Sequence, residues 1–302
     1  MTFLDRAIAR TLPAVPKSIV RRVANRYIAG ETTQEALDLV TKLNSKGFRA
    51  TLDILGEHIH SMDQAQRAIQ GYLNLLEDIA RRRVESTISI KLTQLGLKLD
   101  PQACADMAAR LVRRAGELNN FVRIDMEDSS CTTATLQIYR DLRREFSNVG
   151  VVVQAYLRRT IDDVCTLEEL RPNYRLCKGV YVEPLELSYH DMRIINRNYV
   201  TILDRLLRGG SYVGIATHDE LMVWEALRII RELRLGPDAY EFQMLLGVEE
   251  QLRDIIHAGG HHVRIYIPFG RDWYAYSVRR LRENPRLAGY VFRAMLRGGL
   301  RR

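Results

Sequence analysis

The sequence predicts an α/β fold, a (βα)8 TIM-type barrel with additional N-terminal helices and a C-terminal helix. Short runs rich in β-branched and apolar residues begin near Phe48, Ser86, Phe121, Gly150, Tyr174, Ser211, Tyr240 and His262. Each is followed by a segment of helical pattern, and the starts lie about 31 residues apart, the size of one strand–helix unit. Runs such as VVVQAY are almost continuously apolar, as parallel strands covered on both faces are. Eight such units need roughly 250 residues, and the chain has 302.

The elements follow in order. Residues 1–46 read as a helical segment, in which Phe3, Ala7, Ile8 and Leu12 give a weak apolar face. A second helix is expected after Gly30, with Thr32 or Thr33 as its cap and Ala36, Leu37, Val40 and Leu43 as its buried stripe. Residues 47–302 read as the catalytic barrel together with the C-terminal helix, with no Pro/Gly-rich linker between them. Between the fifth and sixth strands a helix from Glu186 to Leu207 is expected, long for a barrel. From about Pro285 a last helix carries Leu287, Tyr290, Val291, Ala294 and Met295 on one face and arginines elsewhere. That pattern suits docking on the barrel.

Composition narrows the class. No apolar stretch approaches the ~20 residues that span a bilayer, and there is no secretory signal, so a cytoplasmic chain is expected. Cys104, Cys131, Cys165 and Cys177 form no CxxC pair and have no ligand-spaced histidines, so reduced thiols and no metal site are expected. His257, His261 and His262 cluster, but at the start of a strand, away from the end where barrels do chemistry. The net charge of +8 sits at the ends: residues 1–30 hold six Lys/Arg against one Asp, and residues 279–302 hold eight Arg against one Glu. The body between them is slightly acidic, which argues against nucleic acid as a partner. The basic ends read first as solvated helical faces; the sharper reading is contact with the inner face of an anionic membrane.

Barrel active sites lie at the C-terminal strand ends. Walking those ends gives Lys91, Asp125 with Glu127 and Asp128, Gln154, Arg175 and Lys178, Thr217 and His218, Gln243 and Leu245, and Tyr266. One charged strand end is usually a satisfied surface group, but seven in a row converge on one mouth. Asp125 is a candidate partner for Lys91. After the last strand come Tyr276 and the adjacent pair Arg279 and Arg280. Two neighbouring guanidiniums repel each other unless they share an anion, and each can fork onto a carboxylate. With Leu245, Tyr266 and Tyr276 as apolar walls, the site fits a small cyclic or aliphatic amino acid. No nucleophile with a flanking base is visible, so a cofactor must carry the chemistry. There is no GxGxxG turn or P-loop; the Lys178–Gly179 turn and Thr217–His218 are the natural places for its phosphates.

These stretches together resemble the proline dehydrogenase family, in its monofunctional bacterial form, over nearly the whole chain. The matching segments are ATLDILGE (Ala50 to Glu57), SIKLTQLG, RIDMED, VVQAYLRRT, YRLCKGVY, ATHDE, YEFQMLLG and RIYIPFG…WYAYSVRRLREN, one per strand and in order. The resemblance implies FAD-dependent oxidation of L-proline to Δ1-pyrroline-5-carboxylate, with hydride passing from proline C5 to flavin N5. It implies a substrate carboxylate on Arg279, Arg280 and Lys91, with Asp125 pairing with Lys91 and Glu283 orienting an arginine. Leu245, Tyr266 and Tyr276 would pack on the pyrrolidine ring, and Arg175 would sit beside flavin N5 and O4. Met126, Gln154, Lys178, Gly179, Val180, Thr217 and His218 would contact FAD. Implied partners are a quinone-type electron acceptor and a separate pyrroline-5-carboxylate dehydrogenase downstream. The chain departs from the family pattern at Val182 and in the EPLELSY stretch, which bears on the adenine side of the cofactor. Three rival readings are the same chemistry on hydroxyproline, another flavin barrel such as the methylenetetrahydrofolate reductases, and a non-catalytic basic barrel that binds membrane or nucleic acid.

Overall fold

A computed structural model describes residues 21, 24, 26–56, 59–274, 276 and 277. Eight strands form a closed, all-parallel barrel in sequential order: β1 (Arg49–Ile54), β2 (Ser86–Ile90), β3 (Val122–Ile124), β4 (Val149–Gln154), β5 (Asn173–Cys177), β6 (Tyr212–Ala216), β7 (Tyr240–Leu245) and β8 (Val263–Phe269). Each begins within one residue of its expected start. β1 closes the ring on β8, with Leu52 opposite Ile267.

The described helices are α1 (Thr33–Asn44) before β1, then α2 (Met62–Arg82), α3 (Pro101–Glu117), α4 (Ser129–Glu145), α5 (Thr160–Leu167), α6 (Met192–Arg208), α7 (Glu220–Leu233) and α8 (Glu250–Ala258). Their starts are written locally. Thr32 caps α1 in a reciprocal capping box with Glu35, which satisfies two otherwise orphaned N–H groups. Asp100, Asp128, Asp191 and Asp219 accept first-turn N–H groups of α3, α4, α6 and α7. Leu75, Leu76, Leu111, Val112, Leu203 and Ile229 are fully buried in one core with strand residues such as Ile88, Ile124, Val151 and Val213.

The expected long helix from Glu186 is corrected: α6 starts at Met192. The stretch before it is pinned as an irregular strap that makes a single turn, with the Leu187 and Ser188 N–H groups donating to the Pro184 carbonyl at 3.0 Å each. Leu157 and Ser188 form an antiparallel bridge, and the Tyr189 N–H donates to the Tyr156 carbonyl at 2.8 Å. The Glu183 carboxylate accepts from the Ser129 N–H and hydroxyl at 2.7 and 2.6 Å, at the start of α4. These tertiary bonds outweigh the helical pattern of LELSY. The expected helices at residues 1–20 and from Pro285, and the residues Arg279, Arg280 and Glu283, lie outside the described residues. Among the described residues no helix is long and apolar enough to cross a membrane.

Candidate active site

Barrel interiors are usually filled by branched apolar side chains. This one is polar from end to end. Contacts between non-neighbouring strands identify the inward side chains: Arg175 on β5 reaches Ser89 on β2 at 3.2 Å, and Tyr266 on β8 reaches Asp125 after β3 at 2.8 Å. Near the N-terminal end, Arg264 pairs with Glu241 at 2.6 Å, and Gln243 donates to the same carboxylate. The other end of the Gln243 amide accepts from Arg175 Nε, so hydrogen bonds run continuously from the barrel floor to the active end.

At that active end Asp125 is the hub. Its carboxylate accepts from Ser89 Oγ and Arg175 Nη1 at 2.6 Å each, from the Tyr266 hydroxyl at 2.8 Å and from Lys91 Nζ at 3.3 Å. Burial pushes its carboxyl pKa up, but Lys91 and Arg175 more than reverse this and hold it below the ordinary carboxylate range. The expected Lys91–Asp125 pair is present, yet the shorter bond of Lys91 is to Asp53, at 2.8 Å. Tyr266 is fixed by Asp125 and by two cations near its ring, Arg175 at 5.1 Å and Lys91 at 5.8 Å from the centroid. Burial, reinforced by the charge of Asp125, drives its phenol well above the usual range, so it remains a donor.

Beside this hub opens a cavity of about 850 Å³, within the range that holds small molecules and cofactors. It brings together Lys91, Asp125, Met126, Gln154, Arg175, Lys178, Gly179, Val180, Thr217, His218, Leu245 and Tyr266, which are most of the residues expected from the strand ends. Tyr276 does not line it; it is buried in the helical turn after β8, close enough to influence Tyr266. Lys178 pairs with Asp219, which also caps α7, so that helix start and the lysine face one corner. His218 Nε2 accepts the Leu245 N–H at 2.8 Å, which places any ring proton of the neutral imidazole on Nδ1. Gly179, at φ +105°, lies against the Tyr156 ring, where an added Cβ would come within 2.0 Å of a ring carbon.

The cavity offers a buried acceptor to a hydrogen-bonding group. The Gln154 side chain is buried; its Nε2 donates to the Met126 carbonyl at 3.4 Å, while Oε1 has no hydrogen-bond partner among the described residues. A buried unpaired acceptor costs free energy, and a ring N–H of a bound flavin would satisfy it. Asp53, Gln243 as a bridge, Asp219 and Glu249 escaped the reading of strand ends. Asp53 carried a signal, since a carboxylate inside the apolar strand RATLDI demands a buried cation. The three C-terminal histidines sit at the opposite end: His261 Nδ1 meets the Tyr240 hydroxyl at 2.8 Å, and His262 Nε2 lies 3.4 Å from Arg49.

A closed parallel barrel with a charged hub and a large cavity at its C-terminal end has the layout of an α/β-barrel enzyme. The chain belongs to the proline dehydrogenase family, which it matches over residues 36–291. It is 37% identical to a proline dehydrogenase of Deinococcus radiodurans, over 91% of each chain. It is 33% identical to proline dehydrogenase 1 of Bacillus subtilis strain 168, over 98% of each. Among solved structures it resembles proline utilization A from Bdellovibrio bacteriovorus inactivated by N-propargylglycine, with a TM-score of 0.81 and 27% identity. That likeness covers 86% of this chain and 32% of the larger one. Family membership implies a flavin cofactor, an electron acceptor and an amino-acid substrate.

Proposed function

We propose that this enzyme oxidises L-proline to Δ1-pyrroline-5-carboxylate with FAD. The observation that carries the reading is the Lys91–Asp125–Arg175–Tyr266 hub at the edge of a cavity with an orphaned amide acceptor. When bound, FAD supplies the chemistry by accepting a hydride from proline C5. Gln154, Met126 and Arg175 would hold its ring system; Lys178, Gly179, Val180, Thr217 and His218 would line the path of its phosphates and ribityl chain. Arg175, fixed by Asp125 and Gln243, would set its guanidinium beside the ring, where added electron density would be stabilised.

The chain's own residues then bind and orient the amino acid. Lys91 offers an ammonium for the substrate carboxylate, together with Arg279 and Arg280, whose orientation we assign to Glu283. Asp125 pairs with Lys91 before substrate arrives and fixes Arg175 and Tyr266 relative to one another, so those two act as one rigid wall. Leu245 and Tyr266 supply apolar sides for the pyrrolidine ring, and Tyr276, buried close to Tyr266, would reach the ring only by joining that wall from behind. Tyr266 cannot swing away without losing its bond to Asp125, so it crowds a hydroxyl on the ring. L-proline should therefore turn over faster than trans-4-hydroxy-L-proline with a dye acceptor; the reverse order would make hydroxyproline the substrate.

Electrons pass on to a quinone-type acceptor, and the product goes to a separate pyrroline-5-carboxylate dehydrogenase. We place the enzyme in the cytoplasm with its basic ends against anionic lipid. Co-sedimentation with anionic vesicles, reversed by salt, tests this, and a protein left in the supernatant at low salt would sink it.

A further inference from the structure

We infer that Asp53 is a positioning residue for this reaction: it is the principal counter-ion of Lys91 and holds the ammonium where a substrate carboxylate arrives. The inference rests on the reading of Lys91 as a carboxylate ligand. Asp53 is wholly buried in β1, with Ser89 and Pro268 as its neighbours across the sheet. A carboxylate in such a place needs a paired cation, because desolvating it alone costs several times what a hydrogen bond returns.

Among the described residues the distances favour two pairs. Asp125 Oδ1 takes Arg175 at 2.6 Å, while Lys91 lies 2.8 Å from Asp53 and 3.3 Å from Asp125. Among the described residues, Asp53, Asp125 and the Tyr266 hydroxyl stand at 2.8, 3.3 and 3.1 Å from the Lys91 nitrogen. An incoming carboxylate displaces the longest of these at least cost. Asp125 tolerates that exchange, since Ser89, Arg175 and Tyr266 still serve it. Asp53 then remains as the anchor.

The anchor is itself tied to the segment that carries Lys91. Tyr72 on α2 places its hydroxyl 3.3 Å from Asp53 Oδ1 and 3.2 Å from Gln94 Oε1. Gln94 lies in the short turn Leu92–Leu95, which Lys91 itself begins, and its amide donates to the Ile54 carbonyl at 3.1 Å. Burial keeps the Tyr72 phenol protonated and able to donate. Asp53, Tyr72 and Gln94 thus fix β1, α2 and the Lys91 turn against each other.

The test is Asp53→Asn in the flavin-loaded enzyme, which removes the charge and keeps the shape. The flavin-to-protein ratio should match wild type. KM for L-proline should rise about tenfold or more with kcat within about threefold, the pattern of lost uniform binding. The affinity for cyclopentanecarboxylate, read from the flavin spectrum, should weaken in parallel, while that for cyclopentanecarboxamide should not. Unchanged carboxylate affinity, or equal losses for acid and amide, would overturn the assignment. Should Asp53→Asn fail to hold flavin, Tyr72→Phe decides. A rise of roughly two- to fivefold in the carboxylate dissociation constant supports the anchor, and no change removes it. A wild-type enzyme inert toward L-proline would defeat the functional reading, whereas the carboxylate titration would still test Asp53.

Discussion

The carboxylates buried inside the barrel, Asp53, Asp125 and Glu241, each face a guanidinium or an ammonium. Glu241 shows the effect at the barrel floor. Burial pushes its pKa up, Arg264 and the Gln243 amide pull it down, and the net value is about 2 against an ordinary 4.5. A depressed folded pKa means that the unfolded chain takes up the proton first. The stabilisation is therefore complete above the unfolded value and is lost as pH falls from 4.5 toward 2. Asp125, held below its ordinary 3.8 by Lys91 and Arg175, adds a loss of the same sign as pH falls below that value. Glu241→Gln should flatten the dependence of unfolding free energy on pH in this interval, as measured by urea titration; an unaltered slope would remove Glu241 from the account. Lys91, Asp125, Arg175 and Tyr266 were legible in the sequence because each ionisable or phenolic group interrupts or ends an apolar run. The division into pairs was not, because it depends on barrel closure. Asp53 reaches Lys91 across the β1–β2 edge, and no spacing along the chain announces that contact.

The strap between β5 and α6 shows how an element can contradict its own pattern. LELSY has helical spacing, yet Arg158 donates its N–H to the Leu187 carbonyl at 3.0 Å, and Ser188 bridges to Leu157. The strap leaves β5 through Gly179, whose backbone is left-handed and whose Cα abuts Tyr156. Only glycine meets both demands. Gly179→Ala should lower stability by more than about 1 kcal/mol and reduce the flavin retained on purification, read as the ratio of visible to ultraviolet absorbance. A variant with full flavin content and unchanged melting would show that the strap does not shape the cofactor site. By contrast the α1 boundary was readable in advance. Thr32 and Glu35 form a local capping box that needs no tertiary partner.

At the scale of the whole molecule, the repeat of about 31 residues and the continuous strands made the barrel visible before any coordinate. A repeat of that kind reports covalent order, and a closed barrel follows covalent order without crossovers. The cavity was visible only as converging strand ends; its volume and the orphaned Gln154 oxygen depend on how side chains from β3 to β8 pack. The central claim is that this cavity holds FAD beside a proline site. The most direct measurement is the anaerobic visible spectrum of the purified protein before and after adding L-proline. The account predicts flavin absorbance that bleaches on addition. A protein that stays colourless after reconstitution with FAD, or flavin bands that persist with L-proline, would contradict it.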